Sequence, residues 1–130
     1  MTDLAVLLRH AQLHNHNVHH AAKGATSKQD HEMAGEFYNE LEEHYDECVE
    51  IAIGLGLPIN LTQVALTAAK DLPNISSNEQ GFEYSQQCEE EIREMVKDLV
   101  PTVPDGAQNF LQDLAQSSLQ RSYHLTQRLA

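Results

Sequence analysis

The sequence predicts an all-α fold, a four-helix bundle with a short extra helix in the crossover between helices 2 and 3. Three observations predict it. Apolar residues recur at steps of three and four through long stretches of the chain, the period of a helix with one buried face. Gly24, Gly54, Gly56, Pro58, Pro73, Pro101 and Pro104 punctuate those stretches. No stretch alternates apolar and polar residues as a half-buried strand does, and no period of about 20 to 50 residues marks a solenoid.

The first helix is expected from a cap at Thr2 to about Ala22, with Leu4, Leu7, Leu8, Ala11 and Val18 on one stripe, and Gly24 breaks it. Thr26 and Gln29 have capping-box spacing and open the second helix. Its stripe is the strongest in the chain: Met33, Phe37, Leu41, Tyr45, Cys48, Ala52 and Leu55, about six turns. Asn60 and Gln63 then read as a cap before a short helix from Leu61 to about Ala69, which Pro73 stops. Ser76 and Glu79 form another capping pattern. The third long helix follows to about Leu99, with Phe82, Ile92, Met95, Val96 and Leu99 inward. Pro101 and Pro104 separate it from the fourth, which carries Phe110, Leu111, Leu114, Leu119, Leu125 and Leu129. Two tight turns make antiparallel hairpins, and the longer middle connection crosses from one to the other. The 130 residues fit a single domain, 1–130.

Composition narrows the function. With 20 Asp plus Glu against 8 Lys plus Arg, the formal charge is −12, which suits cations and not a nucleic acid backbone or an anionic membrane face. No apolar run approaches the roughly 20 residues of a membrane span, and the opening residues lack a basic n-region with a cleavage site, so a cytoplasmic protein is expected. Cys48 and Cys88 lie on apolar stripes and read as reduced core thiols. Phosphate loops, dinucleotide fingerprints, Cys-x-x-Cys spacings and nucleophile motifs are missing.

What remains is His plus carboxylate, the ligand set of zinc, manganese and non-haem iron. Of 8 histidines, five fall between His10 and His20. The Glu-x-x-His motifs that a bundle-core di-iron site needs are absent. Two other pairs stand out. His19 near the end of the first helix and His31 at the start of the second come to a similar height across the Gly24 turn. Asp46 and Glu50 share one face of the second helix at i, i+4. Each pair has an ordinary alternative, a solvated histidine or a solvated acidic face. His31 and Asp46 are about 22 Å apart along one helix, at ~1.5 Å per residue, so one chain cannot bring both pairs to one metal. Two chains can, if their second helices run antiparallel about a two-fold axis, which makes two equivalent sites per dimer. His10 with His14, and His16 with His20, are further i, i+4 pairs suited to zinc or copper, or else the wet face of a helix. His44 and His124 belong to no motif and read as packing or surface residues.

The run His19-x-x-x-x-Gly24, six residues, His31, and later Asp46-Glu47-x-x-Glu50 resembles the Dps family (DNA-binding proteins from starved cells) of the ferritin-like superfamily. The Gly54-Leu55-Gly56 helix end, the short helix in the crossover and the closing stretch from Tyr123-His124-Leu125 to Ala130 are also similar, so the resemblance spans nearly the whole chain. It implies a ferritin-like bundle and a homo-oligomer, a dodecameric hollow shell. The shell would take up Fe(II), oxidise it at sites shared by two-fold partners, preferably with hydrogen peroxide, and store Fe(III). It assigns His19 and His31 of one subunit, with Asp46 and Glu50 of the next, to an iron pair, with zinc or other divalent ions as alternatives. His20 stands where the family usually has Trp and is an additional candidate ligand, and Ala25, Thr26 and Ser27 replace the family's aromatic and Pro residues. Arg9 and Lys23 are the only Lys or Arg residues before Lys28, so DNA binding through a basic arm is not expected here. Some carboxylates of the acidic second and third long helices are expected to line pores or an inner wall. The alternative function is a non-catalytic metal-binding or structural bundle that serves as an assembly module.

Overall fold

A computed structural model describes residues 1–130 as five α-helices joined by short loops, with no strand. They are α1 (Thr2–Ala21), α2 (Ser27–Gly54), α3 (Leu61–Ala68), α4 (Asn78–Leu99) and α5 (Asp105–Leu129), with a 3-10 turn at Val100–Thr102 between the last two. No helix is long and apolar enough to cross a membrane.

The four long helices form the bundle and α3 packs on α1. Their directions follow from cross-helix bonds. Late α1 meets early α4, through His14 to Gly81 and Asn15 to Ser85. Late α5 meets early α2, through Arg128 to Asp30, while Arg121 reaches Glu40. With tight α1–α2 and α4–α5 hairpins, every adjacent pair is antiparallel, and the crossover carrying α3 makes α2 and α4 run parallel.

The core has two apolar clusters. The larger joins Leu4, Leu8, Leu41, Cys48, Ile92 and Leu111 at one end, and the smaller joins Val18, Ala34, Phe37, Phe82 and Leu125 at the other. Between them lies a belt of buried polar side chains: Gln12, His14, Asn15, Ser85, Glu89, Ser118 and Arg121. Gly81 lets α4 press close to α1, since a Cβ there would lie 2.9 Å from Val18 Cγ2.

Helix ends follow the sequence with specific shifts. α2 ends as its glycines predict. Gly56 takes φ +75°, Gly56 N–H donates to Ile53 O and Leu57 N–H to Ala52 O, the paired bonds of a Schellman turn. Asn60 caps α3 by accepting from the Gln63 N–H at 3.0 Å. α1 includes Thr2, which provides no cap bond. At α2 the Thr26–Gln29 box does not form: Thr26 (φ −101°, ψ 12°) lacks the extended backbone of an N-cap residue, and its hydroxyl donates to the Asp30 carboxylate (2.7 Å). At α4 the capping pair is one residue later than Ser76–Glu79. Ser77 accepts from Gln80 N–H and the Gln80 side chain accepts from Ser76 N–H, which leaves Glu79 to pair with Arg128. Leu119 is 58 % exposed, not inward; the buried face of α5 runs Leu114, Ser118, Arg121, Leu125, and Leu119 is one step off it. Leu55, at the end of the α2 stripe, is likewise exposed.

Candidate metal centre

The α1–α2 turn sets His19 against His31. Their rings stack with centroids 3.6 Å apart and planes 21° from parallel. His19 Nδ1 lies 2.7 Å from the His31 carbonyl oxygen, and His31 Nδ1 lies 2.7 Å from the His19 carbonyl oxygen. A carbonyl oxygen only accepts, so each Nδ1 carries hydrogen and each neutral ring keeps its lone pair on Nε2, the form that ligates a metal. Backbone bonds of this kind fix the tautomer and ring orientation of metal-binding histidines. Gly35 makes the room, since a Cβ there would lie 2.9 Å from His19 Nδ1.

The turn itself is held by Asp30. Its carboxylate takes two bonds from Arg128 of α5 (2.8 Å each) and one from Asn78 of α4 (2.8 Å). Asn78 in turn bonds the Lys23 backbone at both its amide and its carbonyl. The Arg128 guanidinium is the main reason that the Asp30 carboxyl is held down at about 2.

The other histidines divide. His10 donates from Nδ1 to Ala68 O and its Nε2 meets the Tyr84 hydroxyl, both at 2.7 Å. His14 is buried and donates to Gly81 O (2.7 Å), and burial lowers its pKa. These two therefore tie α1 to α3 and α4 and do not form the i, i+4 metal pair their spacing allows. His16 and His20 do converge, Nε2 to Nε2 at 3.0 Å. His16 stacks on Tyr38, with centroids 4.3 Å apart. His20 is exposed, and its ring centroid is 5.2 Å from that of His19.

Asp46 and Glu50 are exposed on α2 and line an open groove with Arg9, Tyr45, Leu61 and Ala65. The chain does not bring them to His19 and His31, and no group of three or more His, Cys, Asp or Glu gathers as a metal-holding set within it. Cys48 and Cys88 are free and buried, and burial pushes both thiols up to about 12, which makes them inert.

The polar belt contains residues that the sequence did not single out. Arg121, 1 % exposed, donates from Nε to Glu89 (3.0 Å) and from Nη1 to Glu40 (3.1 Å) and His44 Nε2 (3.1 Å). Glu89, one carboxylate of the acidic third long helix, is thus buried in an ion pair. His44 is an acceptor for Arg121, and burial together with that charge lowers its pKa to about 4. Of the two carboxylates that Arg121 pairs with, Glu89 is buried in the bundle and Glu40 is partly exposed. Only the inward α5 register, Leu114, Ser118, Arg121, Leu125, could have flagged Arg121 in advance.

No protein-family model matches this chain, and no curated protein matches it.

Proposed function

We propose that the chain is a Dps-like, ferritin-like iron-binding ferroxidase and iron-storage protein. In this proposal it oxidises Fe(II) at sites shared between two-fold related subunits and keeps Fe(III) inside an oligomeric shell, a dodecamer by the resemblance. The observation that carries the proposal is the reciprocal His19–His31 lock, which leaves two preset Nε2 donors and no third ligand in the same chain. The missing oxygen ligands come from Asp46 and Glu50 of a second subunit. Their groove is bordered by Leu61 of α3, which is exposed and leaves apolar surface beside the carboxylates for a partner to cover.

The chemistry follows from the ligand types. Two imidazoles hold Fe(II), and two carboxylates favour the harder Fe(III), so the set shifts the couple towards oxidation. With hydrogen peroxide as oxidant, two Fe(II) each give up one electron, and the peroxide with two protons leaves as two waters. His20 turns its Nε2 to His16 (3.0 Å) and stands outside this ligand set.

The test replaces Asp46 with Asn and Glu50 with Gln, and follows Fe(II) oxidation by peroxide together with native mass by light scattering. The expected result is a wild-type particle many times 14.6 kDa, and a variant particle of the same mass whose initial oxidation is at least ~10-fold slower. Unchanged oxidation in the variant overturns the site and leaves an assembly module. A wild-type monomer also overturns it, because one chain cannot span the roughly 22 Å between the pairs.

A further inference from the structure

Of the four histidines of α1 that the i, i+4 spacing pairs, two are spent on the fold. His10 has both ring nitrogens engaged, and His14 is buried on a carbonyl. The second pair differs in every respect. His16 and His20 are bonded only to one another, at 3.0 Å between their Nε2 atoms, and His20 is exposed. We infer that His16 and His20 form a two-imidazole site for one divalent transition-metal ion of the copper or zinc class, with water completing the coordination.

The distance carries this. At a metal–nitrogen length of about 2.0–2.1 Å, two nitrogens on one ion lie roughly 2.9–3.4 Å apart, from a right angle to a tetrahedral one. The apo pair already sits in that range. Two Nε2 atoms at 3.0 Å share one hydrogen. A bound metal replaces that hydrogen, and the ring that donated it adopts the Nδ1–H tautomer, so each ring presents a lone pair. Stacking on Tyr38 holds the His16 ring, and both ligands come from one helix, so little order has to be created on binding.

This site is complete in one chain and does not rest on the shared iron site. The experiment therefore uses the His19→Gln/His31→Gln background, in which the other imidazole pair is gone. Copper(II) is titrated by calorimetry, and its bound nitrogens are counted by electron paramagnetic resonance. The expected result is one ion per chain with two-nitrogen coupling, and about 100-fold weaker binding when His16→Gln or His20→Gln is added, since chelation is lost. Circular dichroism checks that each variant stays helical. No binding in the background, or binding that His16→Gln and His20→Gln leave unchanged, overturns the inference. Failure of the Asp46 and Glu50 variants to affect iron oxidation would leave it standing.

Discussion

The belt around Arg121 and the hairpin end around His19 and His31 are both polar, yet they are built on opposite terms. In the belt, Arg121 meets Glu40, Glu89 and His44, so charge introduced by one helix is answered by two others of the same chain. At the hairpin end the backbone uses only the Nδ1 side of each ring and leaves the Nε2 side without a partner. Asp46 and Glu50 are equally unanswered on their groove. The first region is closed to solvent, with Glu89 Oε1 and Arg121 Nη2 left without a partner, and its worth lies in the fold. The second is open, and its donors have a use only when something else arrives.

The largest expected effect breaks the closed side. Arg121→Met removes the cation that pairs with Glu89, which is fully buried. Leaving one member of such a pair behind costs about 3–5 kcal/mol, so the urea midpoint falls steeply. Adding Glu89→Gln removes the stranded charge and recovers part of that loss. An unmoved midpoint in Arg121→Met would show that the belt carries no ionic stabilisation. None of this depends on a metal.

The next effect lies between the two regions, at Asp30, which is buried and braces the His19–His31 turn from within the fold. Its folded pKa of about 2 is below the ordinary 3.8, so its contribution is complete above 3.8 and is lost as pH falls towards 2. Asp30→Asn is expected to lower stability at neutral pH by about 2 kcal/mol and to flatten the acid limb below 3.8 only. A separate limb remains at higher pH. His44, held near 4 against an ordinary 6.5, stays neutral in the fold and takes up a proton when unfolded, so stability is lost as pH falls from 6.5 to about 4. Buried His14 acts in the same direction. Denaturant midpoints measured across pH 2–7 separate the two limbs, and an Asp30→Asn curve parallel to wild type would remove Asp30 from the account.

The open region was legible in the sequence and the closed one was not, for a physical reason. His19 and His31 flank a turn, and Asp46 and Glu50 are one helical step apart, so spacing alone brings each pair together. The helices were legible by the same logic, as was the Gly56 turn. Arg121 and Glu89 are 32 residues apart on different helices, and their meeting depends on which register of α5 faces inward. That register turns on Ser118 and Arg121, where an apolar count prefers Leu119. Local patterns could not separate His10–His14 from His16–His20 either, because the difference lies in Ala68, Gly81 and Tyr84, which are far away in sequence.

The smallest effect on stability should come from Gly35→Ala, and it disturbs the open region alone. Gly in a helix interior costs about 0.5–1 kcal/mol relative to Ala, so the substitution gains that much from the backbone. Against this, the new Cβ would stand 2.9 Å from His19 Nδ1 and 3.0 Å from its Cε1. A ring buried among core side chains could not yield, and overpacking would then cost about 1–3 kcal/mol. His19 is only half-buried and sits at the end of a rotatable side chain, so it swings outward and the two terms nearly cancel. The expected midpoint shift is within about 1 kcal/mol of zero. What the swing removes is the stack on His31 and the Nδ1–H bond to its carbonyl, and with them the preset direction of Nε2. Fe(II) oxidation is therefore expected to fall about as far in Gly35→Ala as in His19→Gln, while the fold is unchanged. Oxidation at the wild-type rate would mean that the stacked arrangement, and not merely the presence of His19, is dispensable.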